Sequence, residues 1–114
     1  MTTEGAPYSY IADLTTTAEP PEGGILSRTL YQDERIKVVV FGFGAGQELS
    51  EHTANVPATI QVVKGEGTVT LGEDTVRVAA GSWLHMKAGL SHAVRAETPL
   101  TMVLVMHKAG GAAS

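Results

Sequence analysis

The chain reads as an all-β domain, a sandwich or small barrel, and three observations lead there. Short runs of strand-forming residues recur at roughly 8–12-residue spacing, separated by glycine-rich turns. No segment carries a helical period of useful length. The aromatic content is low, with two Phe, three Tyr and one Trp. The core must therefore be filled by Val, Leu, Ile and Met, which suits a narrow barrel.

Residues 1–24 are polar and loop-like, and "AEPPEGG" (Ala18 to Gly24) cannot be an internal helix or a central strand. They are expected to form an arm, either a loop or a strand swapped onto a neighbouring subunit. Residues 25–108 carry the barrel. From Ile25 onward the pattern is strand. "IKVVVFGF" (Ile36 to Phe43) is β-branched and aromatic, and "ATIQVV" (Ala58 to Val63) follows Pro57. "TVTL" (Thr68 to Leu71) and "TVRV" (Thr75 to Val78) alternate across a Gly72-Glu73-Asp74 turn. "SWLHM" (Ser82 to Met86) and "SHAVRA" (Ser91 to Ala96) flank the turn Lys87 to Leu90, and "LTMVLVMH" (Leu100 to His107) closes the series. The small-residue tail at 109–114 is expected to fray. In the last strand Met102, Leu104 and Met106 alternate with Thr101, Val103 and Val105, so both faces are expected to be covered. A second subunit is the expected cover, making the protein a homodimer.

Composition bounds the partners. At 114 residues the chain can bury one core without staples. With no cysteine, disulfides and thiolate metal sites are excluded, and a reducing compartment is expected. Eight basic and twelve acidic residues, with no Lys/Arg cluster, argue against a nucleic-acid partner. The N-terminal stretch lacks the charged and apolar regions of a signal peptide, and no apolar run approaches the roughly 20 residues that span a bilayer. A cytoplasmic protein that binds no membrane is expected.

Two glycine–histidine spacings stand out. Gly46 is followed by five residues and His52, and Gly81 by Gly89 and then His92. Together with the Gly65-Glu66-Gly67 turn, they resemble the two signature motifs of the cupin superfamily, over roughly Ser27 to Lys108. The motifs are G-x5-H-x-H-x3,4-E-x6-G and G-x5-P-x-G-x2-H-x3-N. The resemblance implies a double-stranded β-helix (jelly-roll) barrel, close to a branch of small single-domain cupins of largely unassigned function. The sequence departs from the ligand pattern: Ala54 stands for the second histidine and Ala58 for the glutamate. Lys87 replaces the proline of the second motif, and Ala96 its asparagine. Of four usual ligands only His52 and His92 remain.

Two imidazoles leave most of a divalent ion's shell to water, so a transition metal would be held weakly through His52 and His92. The same residues are candidate catalytic groups, since paired imidazoles serve as general acid and base. His52 is read as opening a strand in which Ala54 and Val56 share its face. Ala54, Ala58, Ile60, Met86, Met102 and Leu104 are expected to line the pocket. The competing reading has His52 bonding a backbone carbonyl at a strand end and His92 packed under a turn. Leu84 and Met86 form the core pair of their strand, which turns Trp83 and His85 outward, to a dimer groove. Gln61 points outward by the same rule, Glu51 lies opposite the pocket, and His107 is expected to be an exposed terminal residue. A small-molecule enzyme acting on a compact metabolite, a non-catalytic binding or sensor module, and an interaction protein with a vestigial pocket all remain open.

Overall fold

Nine antiparallel strands fall into two sheets in the computed structural model, which describes residues 7–108. They are β1 (Ile25–Gln32), β2 (Ile36–Phe43), β3 (Glu48–His52), β4 (Ala58–Lys64), β5 (Glu66–Leu71), β6 (Asp74–Ala79), β7 (Trp83–Met86), β8 (His92–Ala96) and β9 (Leu100–His107). One sheet runs β1-β2-β9-β4-β7 and the other β3-β8-β5-β6. The pairings nest: β2 with β9, β3 with β8, β4 with β7, β5 with β6. Successive nested pairs alternate between the sheets, which is the topology of a jelly roll. The expected tail at 109–114 and the first six residues of the arm lie outside the described residues.

The core lies between the sheets. Phe43, Ile60, Val62, Val69, Met86, Val94, Leu100 and Met102 form its buried cluster, with Phe41, Leu49, Leu84 and Leu104 packed against it. Aliphatic and thioether side chains dominate, as the composition requires. No helix among the described residues is long and apolar enough to cross a membrane.

The arm folds back on its own chain rather than extending as a strand. A single helical turn, α1 (Leu14–Thr17), is capped by Asp13, whose carboxylate accepts from the Thr15 amide at 2.9 Å. Beyond it the arm crosses the outer face of the five-stranded sheet. A Cβ on Gly42 would overlap the Ala18 carbonyl oxygen, and one on Gly44 the Pro21 carbonyl oxygen. Glycine at both positions lets two backbones approach closely. Ala18, and the outward-facing Val40 and Thr101 at this end of the face, are 0% exposed. The expected cover of β9 is thus supplied in part by the chain's own arm. Farther along β9, Val103 and Val105 are only half-buried.

Candidate functional site

His52 and His92 face each other across the β3–β8 pair, as direct register partners. Their ring centroids are 4.3 Å apart and their planes meet at 58°. On β8 the alternation places His92, Val94 and Ala96 inward, and His92 is 7% exposed. On β3 the alternation is interrupted. Leu49 pairs with Val94 and His52 with His92, so three steps on β3 match two on β8. That irregularity has the form of a β-bulge, which re-aims a side chain near a functional site. It brings His52 to the face of Leu49, where strict alternation would have turned it away.

His52 therefore ends β3 instead of opening a strand, which corrects the sequence expectation. Residues 53–57 form a loop, because "TANVP" combines a turn-prone Asn55 with Pro57, which has no amide to give to a ladder. Ala54 lies in that loop, and its carbonyl accepts from the Gly89 amide at 2.8 Å, tying the loop to the turn before β8. Ala58, Ile60, Met86 and Met102 are buried within the core cluster, and Leu104 is half-buried against it.

The hydrogen bonds of the pair define its chemistry. His52 Nδ1 lies 2.9 Å from the Ser50 carbonyl oxygen, and His92 Nδ1 lies 3.0 Å from the Leu90 carbonyl oxygen. A carbonyl only accepts, so each Nδ1 carries the proton and donates it. Each Nε2 is then left with a lone pair, free to accept a proton or bind a ligand. The backbone contact anticipated for a merely structural histidine is thus the same one that fixes the tautomer of a functional one. On the opposite face Glu51 accepts a short hydrogen bond from the Ser91 hydroxyl, so its carboxylate belongs to the outside of the sheet.

Whether the pair fits a metal is decided by its donor set. Ring centroids 4.3 Å apart allow both Nε2 atoms to reach one ion. Among the described residues, however, no group of three or more His, Cys, Asp or Glu side chains converges on any point. Two neutral imidazoles fall short of the three or four protein ligands that retain a borderline ion. The residues do not fit a firmly held metal.

A second histidine pair lies on the outer face of the five-stranded sheet. His85 and His107 have centroids 6.3 Å apart, and the Trp83 ring stacks near His85 at 6.5 Å and 16°. Thr59 Oγ1 is 3.2 Å from His85 Nδ1. The outward directions of His85 and Gln61 agree with strand alternation. The proximity of His85 and His107 was not legible from either strand alone, because it requires knowing that β4 sits between β7 and β9. A cleft of about 350 Å³ also lies on this face, lined by Pro7, Tyr8, Ser9, Tyr31 and Val38, between the arm and β1–β2.

The family model described as a cupin domain matches residues 38–107. Curated protein sequences give no match. Among solved structures, a conserved protein of unknown function from Streptococcus pyogenes is 30% identical over 95% of each chain, with a TM-score of 0.82. A cupin superfamily protein from Desulfitobacterium hafniense is 20% identical over 94% of each chain, at 0.80. An uncharacterized conserved protein with a double-stranded β-helix domain from Klebsiella pneumoniae is 24% identical at 0.78, over 92% of this chain and 94% of that one. The last two bear on the fold alone.

Proposed function

The chain belongs to the cupin family, and from that premise we propose that it is a small-molecule enzyme whose working groups are His52 and His92. The observation that carries this reading is the pair of imidazoles held face to face with both Nδ1 protons committed to backbone carbonyls. With one ring protonated at Nε2 and the other not, the pair is an acid and a base side by side. Such a pair can take a proton from a carbon beside a carbonyl and deliver one to the carbonyl oxygen. A positioned acid or base contributes on the order of 10²–10⁴-fold to rate. His92 is nearly buried, and His52, exposed at the end of β3, is the ring an arriving substrate meets first. A compact polar or carbonyl-bearing metabolite suits two donors and acceptors this close together. No step requires a metal, and a divalent ion bound between the two rings would be weak and exchangeable.

The test is a thermal-shift screen of small carbonyl and carboxylate metabolites against wild type, His52→Gln and His92→Gln. A compound that stabilises wild type and loses its shift in both variants supports the reading, and turnover of that compound makes it an enzyme. Stabilisation that survives both substitutions rejects it. Binding with no proton exchange into the bound compound in D₂O would favour the second reading, a binding or sensor module, for which the same geometry supplies two hydrogen-bonding groups. A homodimer goes with either reading, supported by Trp83, 64% exposed on the edge strand β7.

A further inference from the structure

The outer-face histidines have no part in the barrel site, and they sit on the other sheet. By alternation Leu84 and Met86 face the core on β7, as do Leu104 and Met106 on β9, so His85 and His107 both point outward. Both are exposed. Between them runs β4, where Thr59 is the register partner of both His85 and Val105. The result is two imidazoles facing one another across a single strand, at a centroid distance of 6.3 Å and an angle of 57°.

We propose that His85 and His107 form a surface chelate for a borderline divalent transition ion of the Cu²⁺, Ni²⁺ or Zn²⁺ class. A metal–nitrogen bond of about 2.0–2.1 Å puts the ion roughly 3.2 Å from each ring centroid. One ion can therefore bridge centroids up to about 6.4 Å apart, and a tetrahedral angle between the two bonds brings them to about 5.2 Å. The observed separation lies inside the outer limit. Closing the remaining gap of about 1 Å needs only small side-chain rotations, which exposed rings can make. Thr59 supplies the supporting contact. When its hydroxyl accepts from His85 Nδ1–H, at the observed 3.2 Å, Nε2 is left as the ligating nitrogen. Imidazole nitrogens select against Mg²⁺ and Ca²⁺, which seek oxygen ligands. The rest of the shell is water where this face is open, or groups of a second copy where Trp83 and Val105 pack against one, and the two imidazoles are this chain's ligands in both states.

Trp83 makes the proposal directly testable, because it is the chain's sole tryptophan and its ring lies 6.5 Å from that of His85. Copper(II) chloride is titrated into the full chain in a non-coordinating buffer while tryptophan fluorescence is followed, with the species present fixed by light scattering. The expected result is saturable quenching that fits a single site, reversed by EDTA, displaced by Ni²⁺ or Zn²⁺ only at higher concentration, and unaffected by Mg²⁺. His85→Ala and His107→Ala should each weaken it by at least the roughly tenfold that losing even an outer-shell partner costs. The quenching should persist in His52→Gln and His92→Gln. In wild type, without any variant, substoichiometric Cu²⁺ should broaden the imidazole resonances of His85 and His107 together. Quenching that does not saturate, an unchanged midpoint in either outer-face variant, or broadening of only one of the two outer-face resonances would each overturn the assignment.

Discussion

Thr101 is 0% exposed, and among the described residues no group hydrogen-bonds its hydroxyl. An unpaired buried hydroxyl costs roughly 1–3 kcal/mol, whereas an apolar group of the same shape does not. Thr101→Val is therefore expected to stabilise the protein by about 1 kcal/mol, or roughly 4–6 °C in melting temperature. A lower melting temperature would mean that the hydroxyl has a partner. A second single-residue effect sits in the β1–β2 turn. Asp33 accepts from the Tyr31 hydroxyl at 2.7 Å and from the Ile36 and Arg35 amides at 2.9 and 2.7 Å. These bonds, the Tyr31 one foremost, hold its carboxyl below the ordinary value and push the Tyr31 phenol up. For a lowered carboxyl the sign is fixed: its stabilisation is present above the unfolded pKa of about 3.9 and is lost as pH falls through the folded value. For the raised phenol, stabilisation is present below about pH 10 and is lost as pH climbs through its folded value. Urea unfolding at pH 6 should find Asp33→Asn weaker than wild type, with the gap closing towards pH 2. A gap that stays constant would show that the charge of Asp33 has no part in it. Neither effect could be read from residue order, since "PLTM" and "YQDERI" do not say which hydroxyl is sealed or which carboxylate folds back.

At the scale of elements, the arm's seat on β2 depends on two missing side chains. Gly42→Ala would drive a Cβ into the Ala18 backbone, an overlap no rotamer change relieves. We expect a loss of about 1–3 kcal/mol, together with faster proteolytic nicking between residues 13 and 22. Unchanged nicking would mean that the arm does not dock there. The elements themselves were largely legible. Runs such as "IKVVVFGF" and "LTMVLVMH" are too β-branched and too evenly bounded by turns to be read otherwise. The juxtaposition of His52 and His92 was legible as well, from their spacing to Gly46, Gly81 and Gly89. What failed was the placement of His52 at the start of a strand. A bulge adds one residue without any mark in composition, so parity carried across it gives the wrong neighbours. Ala54 was assigned a strand face by carrying parity past His52, and lies in the loop that Asn55 and Pro57 favour. The arm's fold-back was hidden for a different reason: Gly42 and Gly44 look like ordinary strand-interior glycines until the backbone that needs them is placed on top.

For the whole molecule, the sharpest prediction is its mass. With half-buried valines on β9 and Trp83 exposed at the β7 edge, light scattering at micromolar concentration is expected to give twice the 11.9 kDa of one chain. A monomer would show that the arm alone covers the sheet adequately. The nested pairing has a further consequence for how the protein is made. β9, the last strand in chain order, stands between β2 and β4 in the five-stranded sheet. During synthesis the β5–β6 hairpin can close as soon as its turn emerges, because its contacts are local. β2 can pair with β1 and β4 with β7 before β9 exists, but the edge that each turns towards β9 has no partner. Until residue 107 has been translated they present open edges to one another and to every other nascent chain, the condition in which β-rich intermediates aggregate. Ribosome-bound chains halted before Leu100 should therefore remain protease-sensitive throughout β2 and β4, and release of the full sequence should protect both strands in a single late step.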